Sequence, residues 1–226
     1  KDLMDALGSP HMDCRQDGAK LDAGVRASYL FNTTISGIEQ ADACLLIGTN
    51  PRWEAPIINA RLRKRWLQDG FTVGVVGPQV DLTYETQYLG AGPQTLKEIA
   101  DGNHPFCETL KSAERPMLIL GQGALSRDDG GCVLGLARKI AEAFGMTGAD
   151  WNGFNVLHTA AARVGGLDLG FVPGEGGRDV GAILAGAESG DVDTVFLLEA
   201  DEIDSARLEN AFVIYQGHHG DRGAHC

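Results

Sequence analysis

Apolar residues fall in five short runs along the chain, at 43–47, 71–76, 116–120, 194–198 and 211–215, each bounded by turn residues. Runs of that length are too short for helices and read as strands buried on both faces. The first run opens onto Gly48-Thr49-Asn50-Pro51, where glycine permits a sharp turn and Pro51 forces Asn50 out of helical geometry. Pro56 then suits the first turn of a helix reaching about Gln68, which stops at Asp69-Gly70. Strand, glycine turn, helix and strand make a βαβ unit whose crossover is right-handed.

The remaining pattern is helical or irregular. A short helix over 2–7 ends at Gly8-Ser9-Pro10, and 11–27 is polar and irregular. After a brief apolar turn at 28–31, Asn32 or Thr33 caps a helix through Gln40. Residues 77–93 read as loop, with Tyr84 and Tyr88 packed down. Short helices are expected at 94–100, 105–112 and 203–208. A longer one at 131–144 carries Val133, Leu136, Ala137, Ile140, Ala141 and Phe144 at three-to-four spacing. Residues 155–164 show similar spacing through Val156, Leu157, Ala160, Ala161 and Val164, and the Gly-rich stretch 165–181 reads as surface loop.

Strands alternating with helices predict an α/β fold: a doubly wound, mostly parallel sheet with helices on both faces. The stretch 193–201 echoes 42–50, so two βαβ halves share one design. Residues 1–41 are expected to pack on the α/β region 42–226. Sheets of this kind bind ligands at the carboxyl ends of their strands. The candidate crevice is therefore lined by Gly48 and Asn50, Gly77-Pro78, Gly121-Gln122-Gly123, Ala200-Asp201 and Gln216-Gly217-His218.

Composition narrows the function. The net charge of −12 over 226 residues argues against nucleic-acid binding, and no apolar run is long enough to span a membrane. The chain begins inside a helix without an initiating Met, which reads as a piece of something longer. Five cysteines at 14, 44, 107, 132 and 226 form no C-x-x-C pair, pointing to a reducing compartment rather than a disulfide framework. Cys44 and Cys132 are expected to act as small hydrophobes.

Each candidate motif has a plain structural alternative. Gly121-Gln122-Gly123-Ala124 lacks the third glycine of a dinucleotide fingerprint, so tight-turn packing competes with ligand binding there. Arg61, Arg63, Lys64 and Arg65 complement a helix dipole and form a solvated or subunit-facing surface, or else bind phosphate. His218-His219 with His225 and Cys226 is set against metal binding by the opposed directions of neighbouring side chains. Asp201-Glu202 with Asp204 reads as a helix cap, with an acid–base pair as the alternative.

The stretch Ala41-Asp42-Ala43-Cys44-Leu45-Leu46-Ile47-Gly48-Thr49-Asn50-Pro51-Arg52-Trp53-Glu54-Ala55-Pro56, followed by Asn59-Ala60-Arg61-Leu62-Arg63-Lys64, carries a family resemblance. So do Asp81-Leu82-Thr83-Tyr84, Gly102-Asn103-His104-Pro105-Phe106 and Tyr215-Gln216-Gly217-His218-His219-Gly220-Asp221. Together they resemble the large iron–sulfur subunit of proton-pumping NADH:quinone oxidoreductase, respiratory complex I, over nearly the whole chain.

That resemblance implies a molybdopterin-oxidoreductase-like fold, as in formate dehydrogenase, that has lost its molybdenum. It implies no catalytic residue and no metal ligand in this stretch, with Gly48, Asn50, Gly77, Gly121 and Asp201 as vestigial crevice turns. Gly77-Pro78-Gln79 stands where related molybdenum enzymes have an Asp-Pro-Arg-like turn, and offers neither acid nor cation. The 2Fe-2S and 4Fe-4S clusters of the parent subunit are expected N-terminal to Lys1. Expected partners are that cluster-bearing domain and other hydrophilic-arm subunits, with no nucleic acid and no membrane insertion. The expected location is the cytoplasmic side of a bacterial inner membrane, or the mitochondrial matrix side. A scaffold domain without cofactor is the leading expectation. The alternatives are a fragment of an active molybdopterin oxidoreductase and a free-standing nucleotide-binding module.

Overall fold

The computed structural model describes residues 1–219 and 222–225. In chain order the regular elements begin with α1 (Asp2–Leu7), α2 (Thr34–Gly37), β1 (Ala43–Ile47), α3 (Pro51–Glu54) and α4 (Pro56–Trp66). Then come β2 (Thr72–Val76), β3 (Gln87–Gly90), α5 (Pro93–Ala100), α6 (Phe106–Ser112), β4 (Pro116–Gly121) and α7 (Gln122–Leu125). The last are α8 (Gly130–Ala143), β5 (Phe154–Leu157), α9 (Arg163–Asp168), α10 (Val180–Ser189), β6 (Thr194–Leu198) and β7 (Phe212–Gln216). They fall into two compact units: Lys20–Ala161, and Lys1–Ala19 together with Ala162–Cys226.

The larger unit is built on a five-stranded parallel sheet in the order β3-β2-β1-β4-β5. β1 is its centre, with all five residues buried. On one face Cys44, Leu46, Val73, Val75, Met117 and Ile119 pack with Ile38, Ile58 and Leu62. On the other, Gly74 leaves room for the Phe106 ring, which would stand 2.7 Å from a Cβ placed there. Burying a Leu or Ile side chain fully contributes about 1.5–3 kcal/mol, and β1 buries Leu45, Leu46 and Ile47. The Asp42 carboxylate aligns β4 beside β1 by accepting from the N–H groups of Glu114 (2.7 Å) and Arg115 (2.9 Å).

The smaller unit holds a two-stranded parallel sheet, β6-β7, covered on one face by α10. The stretch 11–19 buries Met12 and Ala19 and is tied to α9 and α10 by charged side chains as well. Asp13 accepts from Arg15 Nε (2.8 Å) and from the Val180 N–H (3.3 Å), and Arg163, 2% exposed, donates to Asp17 at 2.9 Å.

The α/β class and the parallel strands follow the sequence pattern, but several elements differ. Residues 155–164 are not a helix. Asn155 is fully buried in β5, accepts from the Thr33 N–H (2.8 Å) and donates to Thr33 Oγ1 (2.7 Å) and the Leu118 carbonyl (3.0 Å). The loop expected over 77–93 contains β3, and Tyr88 on it is exposed while Tyr84 packs against the core. The Gly-rich stretch expected as loop contains α9 and the start of α10. In α8, Leu134 is buried where Leu136 and Phe144 are only partly so, and Cys132 is exposed rather than packed. β6 and β7 form their own sheet instead of extending the first. The compact units also divide the chain differently from 1–41 and 42–226, because the first nineteen residues join the last sixty-five.

Candidate functional site

In the order β3-β2-β1-β4-β5 the topological switch lies between β1 and β4, so a ligand crevice would open beside Gly48 and Gly121. The structure brings Gly48, Gly77 and Gly121 together at this carboxyl rim, and it closes the rim with backbone. A Cβ on Gly121 would stand 2.4 Å from the Gly48 carbonyl oxygen, and one on Gly48 would stand 2.5 Å from Ala124 Cβ. One on Gly77 would meet Gly48 Cα at 3.3 Å. Gly48 also has φ of +55°, a conformation other residues rarely adopt. These glycines serve the mutual approach of three turns.

Several donors at this rim are engaged within the chain. The Gly48 N–H donates to the Val76 carbonyl at 2.8 Å, and the Gly77 N–H to the Gly90 carbonyl at 2.9 Å. Glu54 folds back over the turn: one carboxylate oxygen accepts from the Asn50 N–H at 2.6 Å, the other from the Thr49 hydroxyl at 2.8 Å. This resembles a capping box with the acid one position later than usual. Asn50 Oδ1 is buried there without a hydrogen-bond partner. Beyond the turn, Arg52 pairs with Asp81 at 2.6 Å. The Thr83 N–H, then the Arg52 guanidinium, hold the Asp81 carboxyl below its ordinary range.

Two rim residues went unremarked as a pair in the sequence, Gln122 after β4 and His158 after β5. Gln122, 3% exposed, lies 3.2 Å from His158 Nδ1, and His158 Nε2 lies 2.5 Å from the Tyr29 carbonyl oxygen. A carbonyl only accepts, so Nε2 carries the proton and Nδ1 accepts from Gln122. Glu54 was likewise missed. Its signal was the spacing Thr49/Asn50…Glu54 around Pro51, an acid one turn into a helix whose first position is proline.

Asp201 does not belong to this rim's sheet. It follows β6 in the smaller unit, where Asp204 caps the next turn by accepting from the Ala206 N–H. His218 Nδ1 lies 2.6 Å from Glu199 Oε1 at the carboxyl end of the same two-stranded sheet. Gly220, Asp221 and Cys226, part of the histidine-rich tail considered for metal, lie outside the described residues. Among the described residues, no group of three or more His, Cys, Asp and Glu side chains is arranged to hold a metal ion. Of the cationic cluster on α4, Arg61 and Lys64 share the Glu39 carboxylate, while Arg65 donates to the Ala41 and Asp69 carbonyls.

A family model described as Molybdopterin oxidoreductase matches residues 1–226. The chain belongs to the molybdopterin oxidoreductase family. It is 44% identical over 226 residues to the mitochondrial NADH dehydrogenase [ubiquinone] iron-sulfur protein 1 of Solanum tuberosum, covering 100% of this chain and 29% of that one. It is 41% identical over 224 residues to an NADH-quinone oxidoreductase subunit of Rickettsia bellii, covering 99% of this chain and 31% of the relative. The NADH-ubiquinone oxidoreductase 75 kDa subunit of Reclinomonas americana is 40% identical over 240 residues, with 34% of its length covered. The chain thus spans about a third of the length of these curated relatives. No helix among the described residues is long and apolar enough to cross a membrane.

The family's name implies a pterin cofactor, and the rim residues do not fit one. A pterin dinucleotide brings phosphate groups, which need free N–H donors or cations. Here the Glu54 carboxylate already takes the Asn50 and Thr49 donors. The space between the β1 and β4 turns is filled by glycine backbone. Gly77-Pro78-Gln79 supplies no charge.

Proposed function

We propose that this chain is a cofactor-free structural domain of the large iron–sulfur subunit of NADH:quinone oxidoreductase. It supports electron transfer from NADH to quinone through clusters held elsewhere in that subunit, packing against the cluster-bearing domain and neighbouring subunits on the peripheral arm. The observation that carries the reading is the self-capped rim, where Glu54 takes the Asn50 N–H and the Thr49 hydroxyl and the packed glycines Gly48, Gly77 and Gly121 fill the space between the turns. Similarity to complex I subunits over the whole chain supplies the assembly. The location follows that assembly: the cytoplasmic face of a bacterial inner membrane, or the matrix face of the mitochondrial one.

A scaffold and a catalytic domain respond differently to damage at the rim. With Gly121→Ala in the full-length subunit, the amount of assembled complex should fall, while NADH:quinone turnover per assembled complex stays at the wild-type value. Normal assembly with lost turnover per complex would contradict the scaffold reading.

A further inference from the structure

Helix α10 is held at its start by side chains 167 residues away in sequence. Where the chain enters the helix, three N–H groups find side-chain acceptors. Asp179, the N-cap residue, serves Ala182 at 2.9 Å. The other two bonds go to the segment 10–14. The Val180 N–H donates to Asp13 Oδ2 at 3.3 Å, and the Arg178 N–H donates to His11 Nδ1 at 3.1 Å. Backbone bonds from Gly174 to the Pro10 carbonyl (3.0 Å) and from Cys14 to the Phe171 carbonyl (2.9 Å) keep the two segments side by side.

The His11 bond is the one that a proton breaks. The ring is half-buried and accepts through Nδ1, so its proton sits on Nε2 and it is neutral. A proton on Nδ1 would turn the acceptor into a donor aimed at another donor. It would also place a positive charge at a helix N-terminus, where cations are disfavoured. The charged groups on the segments around the ring are largely engaged elsewhere. Asp13, its side chain 2% exposed, is paired with Arg15 at 2.8 Å, and Asp17 with Arg163 of α9 at 2.9 Å. Asp179 is on the Ala182 N–H, and the two other charges of the 170–180 stretch, Glu175 and Arg178, are opposite in sign. Loss of the hydrogen bond therefore decides the outcome.

We infer that His11 is a pH-sensitive clasp on α10: the neutral ring holds the helix start against the segment 10–14, and protonation releases it. The opened arrangement accepts the proton that the closed one excludes, so opening is favoured as pH falls. α10 covers one face of the β6-β7 sheet, where Leu184 and Ala187 cluster with Val195 and Leu197. Release at its N-terminus loosens that cover. The inference goes beyond the scaffold reading and does not depend on it.

The test is hydrogen exchange on the full-length protein, read by mass spectrometry and corrected for the intrinsic pH dependence of amide exchange. It compares about pH 7.5 with about pH 5.5, a span in which imidazole ordinarily titrates. Protection of the amides of 178–186 should fall roughly fivefold in the wild type, about 1 kcal/mol, while the amides of β1 keep theirs. His11→Asn offers a carbonyl oxygen in place of Nδ1 and carries no titrating group, so it should show no such fall. His11→Ala should be poorly protected at both pH values. No fall in the wild type, an equal fall in His11→Asn, or a fall shared with β1 would overturn the inference.

Discussion

The two parallel sheets are written in similar residues and end in different surroundings. Ala43-Cys44-Leu45-Leu46-Ile47 is buried at every position, whereas Thr194-Val195-Phe196-Leu197-Leu198 alternates, with Val195 and Leu197 buried and the others exposed. Phe196 is 43% exposed and Phe212 on β7 is 69% exposed. Parallel strands are normally covered on both faces. β1 achieves this because strands flank it on both sides and helices cover both faces, while among the described residues β6 has β7 as its one neighbour and α10 over one face. An apolar run therefore announces a strand, but its depth in the fold is set by how many elements pack around it.

That contrast is open to direct attack. Leu46→Ala, at a site with no exposure in the main core cluster, should cost about 2–5 kcal/mol. Phe196→Ala should cost less than about 1 kcal/mol, because much of that ring is already in water. Urea titration of each variant, followed by hydrogen exchange in the unit concerned, measures both. Equal losses would mean that the β6 face is covered in solution. An intermediate effect is expected at the rim. Gly121→Ala forces a methyl to within 2.4 Å of the Gly48 carbonyl oxygen, an overpacking cost of about 1–3 kcal/mol on the same unfolding assay. A neutral result would show that the two turns separate readily, and the closed-rim account would weaken.

The smallest effect is electrostatic. Arg138 donates to Asp22 at 2.9 Å and, with the Gly24 N–H, holds that carboxyl below its ordinary value of 3.8. A carboxylate with a depressed folded-state pKa stabilises the fold above its unfolded pKa, and the contribution is lost as pH falls through the folded value. Asp22→Asn should therefore lower the stability of the five-stranded unit near neutrality, with the difference from wild type vanishing as pH falls below about 4. Both side chains are about a third or more exposed, so screening keeps the effect below about 1 kcal/mol. Loss of support at alkaline pH instead would refute the assignment.

Much of the architecture was readable from residues whose local and global preferences agree. β1 and β4 are uninterrupted apolar runs and β2 is one after Thr72, and the proline that opens α4 and the Asp69-Gly70 stop behave as their chemistry dictates. What failed did so for identifiable reasons. Val156, Leu157, Ala160, Ala161 and Val164 fit a helical stripe, but the hydrogen bonds of Asn155 to Thr33 and Leu118 commit the segment to the sheet edge. β3 is four residues long with an exposed tyrosine, too short and too mixed to show as alternation. Of the rim, Gly48, Gly77 and Gly121 were visible as turn residues. That Glu54 turns back onto Thr49 and Asn50 is a local contact, signalled by an acid one turn past Pro51 that resembles a shifted capping box. Asp201 is expected beside them as the residue after a strand of one shared sheet, but β6 pairs with β7 in a sheet of its own.

A rim sealed by its own chain leaves no room for a pterin, and cofactor content tests this most directly. The full-length subunit, purified from cells grown with ample molybdate, should contain neither molybdenum by elemental analysis nor an oxidised pterin by fluorescence above the level of a pterin-free control protein. Either one in stoichiometric amount would contradict the sealed rim and point to an active molybdopterin oxidoreductase.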